Sequence, residues 1–200
     1  MRISMFSQDV FITQTNLKHK NILKELKKLK FNKVGSQTPP TFDTKQHISE
    51  DFNVLNNFSY GKEITLEMEK VLKLAIESFG FNCDFYIVNS WVNKIEPGNY
   101  SEWHHHLNFW LSLVYYPHGT FSISFAKHQM DYFDIPVKTQ TTMSNTLHTF
   151  HVKEGAMIVF PSYLKHKIGY NDTNIDRYSI AANILPKGTI GVNDGKLTIA

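Results

Sequence analysis

A chain of 200 residues, 42% apolar and 14% aromatic, can bury a sizeable core and has no repeat or linker that asks for two domains. A formal charge of +3 lies far from the basic footprint of a nucleic-acid binder, and one cysteine, Cys83, excludes an internal disulfide or a thiolate metal site. No uncharged run approaches a bilayer span, so the chain is expected to be soluble, in a reducing compartment such as the cytoplasm, with no membrane partner.

After a short apolar run at Val10-Phe11-Ile12, Thr15 or Asn16 can cap a helix reaching about Phe31, with Ile22, Leu26 and Leu29 on one stripe. Seven lysines from Lys18 to Lys33 make its solvated face; contact with an anionic macromolecule such as nucleic acid is the weaker reading. Gly35 to Ser59 is polar, holds Pro39-Pro40 and shows no period, which predicts a long wrapping loop that covers a site mouth. The next helix is clearer: Ile64, Met68, Val71, Leu72, Ala75 and Phe79 recur at helical spacing, and Gly80 stands at a left-handed stop.

From Phe85 the pattern turns to strands. Phe85 to Val88 and Trp91 to Ile95 precede a turn at Pro97-Gly98-Asn99, then a strand carrying His104-His105-His106. Phe109 to Tyr116 is a further strand, Pro117-His118-Gly119 a turn, and Phe121 to Phe125 alternates as a half-buried strand should. Less regular pieces fill Met130 to Val152. Gly155 opens the run Ala156 to Phe160, Tyr178 to Leu185 forms another strand, and Asn193-Asp194-Gly195 turns a terminal hairpin. The expected class is mainly β with two amino-terminal helices: residues 1–82 as helical support and wrapping loop, residues 83–200 as a sandwich or jelly-roll core, all one domain.

Histidines carry the chemistry. In a strand, positions i and i+2 face one way, so His104 and His106 present two imidazoles together while His105 faces out. His166, after the apolar strand and Phe160-Pro161-Ser162, supplies a third nitrogen and leaves positions open for oxygen and a chelating co-substrate, as a catalytic iron requires. Arg177, with Ser179 on the same strand face, offers a planar fork for a far carboxylate; its other reading is a surface pair with Asp172 or Asp176. Trp91, Trp103, Phe109 and Trp110 read first as core and second as pocket lining. His148 and His151, three apart in a β context, face opposite sides and read as structural, and His118 as a solvent-exposed turn residue.

In this order, Trp91-Val92-Asn93, the histidine run, Ser112 to Tyr116, Gly155, Phe160-Pro161-Ser162 with His166, and Arg177 to Ile180 leading to Asn183 resemble a known family. It is that of the 2-oxoglutarate- and Fe(II)-dependent oxygenases of the type carried by large tailed phages, akin to the prolyl-hydroxylase group. The resemblance spans roughly Trp91 to Asn183. It implies a double-stranded β-helix around an iron held by His104 and His166, and 2-oxoglutarate bound through Arg177 with help from Tyr116 and Ser179. Broader relatives carry Asp or Glu where this chain has His106; Glu102 is the rival carboxylate, and an unfilled position would favour halogenation-like chemistry.

The implied reaction hydroxylates a substrate and releases succinate and CO2, in the host cytoplasm if the source is viral. The substrate stays open between a protein side chain, a nucleobase and a small molecule. Two other classes stay open as well: a cupin-like three-histidine metalloenzyme that does not use 2-oxoglutarate, and a metal-free jelly-roll binding or virion-associated module.

Overall fold

Residue alternation along the central strands sorts the chain into three layers. The structure, a computed structural model, describes residues 8–17, 21–34, 46–127, 136–141 and 144–199. The strands are β1 (Phe11–Gln14), β2 (Phe31–Lys33), β3 (Gln46–Ser49), β4 (Asp84–Ile95), β5 (Leu111–His118), β6 (Phe121–Ala126), β7 (Leu147–Val152), β8 (Ala156–Pro161), β9 (Lys165–Ile168), β10 (Arg177–Ile190) and β11 (Leu197–Ile199). The α-helices are α1 (Ile22–Leu26), α2 (Val54–Asn57) and α3 (Gly61–Ser78).

One antiparallel sheet runs β1-β8-β5-β10-β4-β3-β2, with β11 paired to the end of β10, and faces a smaller sheet ordered β7-β6-β9. On β5, Leu111, Leu113 and Tyr115 point to the helices, whereas Val114 and Tyr116 point between the sheets. On β10, Tyr178, Ile180, Ala182 and Ile184 take the helix side and Ala181 the intersheet side. One core therefore packs α1 to α3 against the large sheet, and a second fills the jelly roll.

The long helix forms as its periodicity requires. Ile64, Met68, Val71, Leu72 and Ala75 are buried, Ile76 joins them, and Phe79 packs partly against the same core. Gly80, at φ 80°, closes it: the Phe81 N–H donates to Ile76 O and the Gly80 N–H to Glu77 O, a Schellman stop.

The amino-terminal third departs from the pattern reading. The helix expected to reach Phe31 is only α1, because Phe31 to Lys33 pair with β3 and the Phe31 ring packs on Tyr178 at 6.2 Å. Sheet pairing overrides helical periodicity there. Its expected start runs through residues 18–20, outside the described residues. The expected loop from Gly35 to Ser59 contains β3 and α2, so among the described residues three α-helices, not two, support the fold; residues 35–45 lie outside the described residues. Strands β1, β2 and β3 extend the large sheet, so residues 1–82 do more than brace it.

Smaller differences follow from pairing. Phe85 to Ile95 is one strand, with a bulge opposite Asn183 and Ile184. β5 runs through Pro117 to His118, with its own register shift there, and the chain turns at Gly119, φ 91°. A proline, which has no N–H to lend, is tolerated at such a bulge. Of the irregular stretch from Met130 to Val152, residues 130–135 and 142–143 lie outside the described residues, and β7 supplies the ordered end. The terminal hairpin is present as β10–β11. Among the described residues no helix is long and apolar enough to cross a membrane.

Leu72 is fully buried in the helix-side core, whereas Leu74 on the same helix is 55% exposed. Leu72→Ala is expected to cost about 2–5 kcal/mol in urea unfolding and Leu74→Ala less than about 0.5 kcal/mol; equal costs would contradict the layer assignment.

Candidate active site

The histidine run lies against β9, held by backbone pairing at a single bridge. The His104 N–H donates to His166 O at 3.0 Å and the His166 N–H to His104 O at 2.9 Å, while the His106 N–H reaches Ser162 O at 2.9 Å. No continuous strand forms here, contrary to the sequence expectation, yet the alternation survives: His105 is exposed and its two neighbours turn inward. Potential ligand nitrogens of His104, His106 and His166 lie within 4.8 Å of one another. Ring centroids are 4.3 Å apart for His104–His166, 5.2 Å for His106–His166 and 5.6 Å for His104–His106.

Each ring is oriented from outside the cluster. The Nδ1–H of His104 donates to Glu102 O at 2.8 Å, that of His166 to Leu164 O at 2.8 Å, and that of His106 to Asn183 Oδ1 at 2.7 Å. Carbonyl oxygens only accept, so Nδ1 keeps the proton and Nε2 keeps its lone pair for a cation. Phe160 and Phe125 pack on the His166 ring at 4.7 and 6.0 Å, and Trp91 on His106 at 5.4 Å.

Burial keeps all three imidazoles neutral. Desolvation lowers His104 from the usual imidazole value, pushes His106 down to about 4, and drives His166 lower still, with repulsion from His104 adding to the effect. Neutral nitrogen donors within 4.8 Å of one another, with tautomers set for Nε2 ligation, suit a divalent cation. Glu102 contributes its backbone carbonyl, and its carboxylate is not part of the cluster.

Arg177 starts β10 and is 4% exposed. Its stem passes Gly119, where an added Cβ would lie 3.2 Å from Arg177 Cγ, and its guanidinium sits 5.8 Å from the centroid of the Phe121 ring. One edge of the fork is used: Nη2 donates to Asp172 at 2.9 Å and Nη1 to Tyr170 O at 3.2 Å. The anticipated pairing with Asp172 is therefore real, but the arginine it holds is buried rather than at the surface.

Its Nε has no acceptor among the described residues, and neither has the hydroxyl of Tyr116, whose ring contacts the same Phe121 at 4.7 Å. Burial raises the Tyr116 phenol well above the usual range, so it stays a donor. Two buried donors without partners among the described residues, both on side chains beside Phe121, suit an anionic acceptor such as a carboxylate. Ser179 is buried on the same strand.

Other candidates lie elsewhere. Trp110 packs in the helix-side core against Phe81 at 5.5 Å, and Trp103 lies under the Lys167 ammonium at 4.9 Å. Phe109 is half-buried. His148 and His151 stand opposite Phe125 and Ser122 on β7 and fall on alternate faces, outside the cluster. His118 is half-buried, 3.4 Å from Glu154. Asn183, Ser112 and Ser162, which carry the resemblance in the sequence but have no role assigned there, are linked to the His106 ring; the alternation that puts Arg177 and Ser179 on one face also reaches Asn183.

Fold and site together define a double-stranded β-helix with a three-imidazole cluster and a buried arginine. Residues 89–183, which carry all of these side chains, match the family model of the 2OG-Fe(II) oxygenases. That segment is a 2OG-Fe(II) oxygenase domain, and the chain is an oxidoreductase that depends on 2-oxoglutarate and Fe(II).

Solved structures agree in fold. The α-ketoglutarate-dependent carbocyclase SnoK of nogalamycin biosynthesis is 12% identical at a TM-score of 0.63, covering 94% of this chain and 85% of its own. HygX of Streptomyces hygroscopicus, solved with nickel, 2-oxoglutarate and hygromycin B, is 14% identical at 0.58, covering 90% and 83%. A 2OG-Fe(II) oxygenase-family oxidoreductase of Burkholderia pseudomallei is 13% identical at 0.56, covering 82% and 76%. No curated protein matches the sequence.

Neutral buried histidines make stability depend on pH. Their folded values lie below the ordinary one near 6.5, so below it the unfolded chain binds more protons and acid favours unfolding. Metal-free protein is expected to hold its stability above about pH 7 and lose it towards about pH 5, by up to ~1.4 kcal/mol per pH unit for each histidine. His166→Asn should flatten the slope in thermal melts; an unchanged slope would contradict the assignment.

Proposed function

We propose that residues 1–200 work as one oxygenase unit that hydroxylates an unactivated C–H bond of a small molecule, converting 2-oxoglutarate and O2 into succinate and CO2. The observation that carries the site assignment is the pairing of three inward Nε2 atoms with two orphaned donors, Arg177 Nε and Tyr116 OH, on the inner faces of the same jelly roll.

His104, His106 and His166 hold the iron through Nε2, and Arg177 with Tyr116 receives the distal carboxylate of 2-oxoglutarate, with Ser179 assisting. The ferrous ion and its co-substrate supply the oxidising power. This chain's part is to hold and shield. Carbonyl acceptors behind the histidines fix their tautomers, and Asp172 with Tyr170 O steadies the outer edge of Arg177 so that Nε faces inward. Phe121, Phe125, Phe160 and Ile158 keep the space between dry, which strengthens every charge contact made there.

The small-molecule assignment rests on likeness to enzymes such as HygX, whose structure holds hygromycin B. A run of rings, from half-exposed Phe52 to Trp91 at 6.3 Å and on to His106 at 5.4 Å, gives the substrate an apolar approach to the cluster. Cys83, free and half-buried, supports a reducing, cytoplasmic setting.

Turnover of 2-oxoglutarate to succinate with Fe(II), without added substrate, tests the reading. Arg177→Ala should lower turnover at limiting 2-oxoglutarate by at least about tenfold, and His166→Ala should abolish it. Succinate formation that ignores Arg177 would remove Arg177 from the co-substrate site, and no succinate at all would point to a three-histidine enzyme that does not use 2-oxoglutarate.

Tyr116→Phe gives a second check that needs no turnover. Removing an orphaned hydroxyl should leave the unliganded protein as stable or up to about 1 kcal/mol more stable, while shrinking the gain in Tm from 2-oxoglutarate with Mn(II). An equal ligand-induced gain in both proteins would remove Tyr116 from the site.

A further inference from the structure

The second ligand position of this centre is built differently from the other two. His104 and His166 each lean on a backbone carbonyl two residues away, an acceptor that no substitution can remove. His106 leans on side chains brought from three other places in the chain. Its Nδ1 is 2.7 Å from Asn183 Oδ1 on β10 and 2.8 Å from Ser112 Oγ on β5. Ser112 Oγ in turn lies 3.3 Å from Asn183 Oδ1 and 2.8 Å from Ser162 Oγ, in the turn after β8. All three polar residues are buried, at 4%, 1% and 0% exposure for Asn183, Ser112 and Ser162.

Hydrogen-bond direction follows from what each atom can do. The Asn183 amide oxygen only accepts, taking the His106 Nδ1–H and the Ser112 hydroxyl proton, and Ser162 is left to donate to Ser112. Ser162 also receives the His106 backbone N–H on its carbonyl, so one turn fixes both main chain and ring. Such a network costs free energy if half satisfied and rigidifies its members when complete.

A carboxylate ligand brings its own charge and has no tautomer to choose. An imidazole must be told which nitrogen keeps the proton. We infer that Asn183, seconded by Ser112 and Ser162, is the positioning residue that makes His106 a metal ligand, holding its proton on Nδ1 and aiming Nε2 at the cation. Asn183 touches neither metal nor co-substrate and acts only through His106. The inference rests on the three-histidine centre proposed above.

Co(II) titration, followed by the visible absorption of the bound ion, separates the two. Asn183→Ala should weaken Co(II) binding roughly 10–100-fold and Ser112→Ala by less. Asn183→Asp, nearly isosteric and able only to accept, should bind at least as tightly as the parent, because an added anion makes His106 a stronger donor. In a His106→Ala background, Asn183→Ala should have no further effect.

Parent-like affinity in both Asn183→Ala and Ser112→Ala would overturn the inference, as would equal weakening by Asn183→Ala with and without His106. If Asn183→Ala does not fold, Asn183→Asp decides: affinity equal to or above the parent supports the role, and weaker binding overturns it. A parent protein that binds no Co(II), or binds it as well after His166→Ala, would overturn the three-histidine reading and this inference with it.

Discussion

Three neutral imidazoles share one buried space because each Nδ1 proton has an acceptor outside the cluster. Without those acceptors the rings could rotate, change tautomer or pair with one another, and no common point would receive three lone pairs. Much of the local structure serves this arrangement. The bridge between His104 and His166 sets the spacing of two rings, and the turn at residues 161–164 supplies acceptors to two different histidines. Phenylalanine rings from β6 and β8 close the sides.

Further along the jelly roll the logic reverses. Around Arg177 and Tyr116 the protein leaves donors unmatched, a state that costs about 1–3 kcal/mol for each buried group in the free protein. Arginine placed there without any partner would be harder to sustain, and Asp172 with the Tyr170 carbonyl satisfies one edge of its fork. What remains unmatched is the shape and charge of a carboxylate. Saturated hydrogen bonding behind the three histidines gives rigidity, and in the proposed function the unsaturated donors at the far end receive the co-substrate.

Much of this could be read from residues alone. Helix α3 and its glycine stop, the turn after β4, the terminal hairpin and the i, i+2 pairing of His104 with His106 are local patterns, set by neighbours a few positions away. Helix α1 is shorter than its stripe suggests because Phe31 gains more by pairing with Ser49 and packing on Tyr178 than by continuing a lysine-rich helix. Strand β3 was invisible inside a polar stretch because its pairing partners, β2 and β4, are what make it a strand. Glu102 looked like a ligand at the correct spacing, yet it serves through its carbonyl.

The order of aromatic, histidine and arginine motifs by itself pointed to the class of chemistry and to the three histidines that the fold brings together, since each motif is short and local. Only tertiary structure decided how those side chains are held: that Asn183, Ser112 and Ser162 meet at His106, and that Arg177 is split between Asp172 and an open inner edge. The physical reason is separation along the chain. Asn183 is 77 residues from His106 and Ser112 is 50 from Ser162, and hydrogen bonds at about 3 Å between such residues exist only once the sheets have folded over one another.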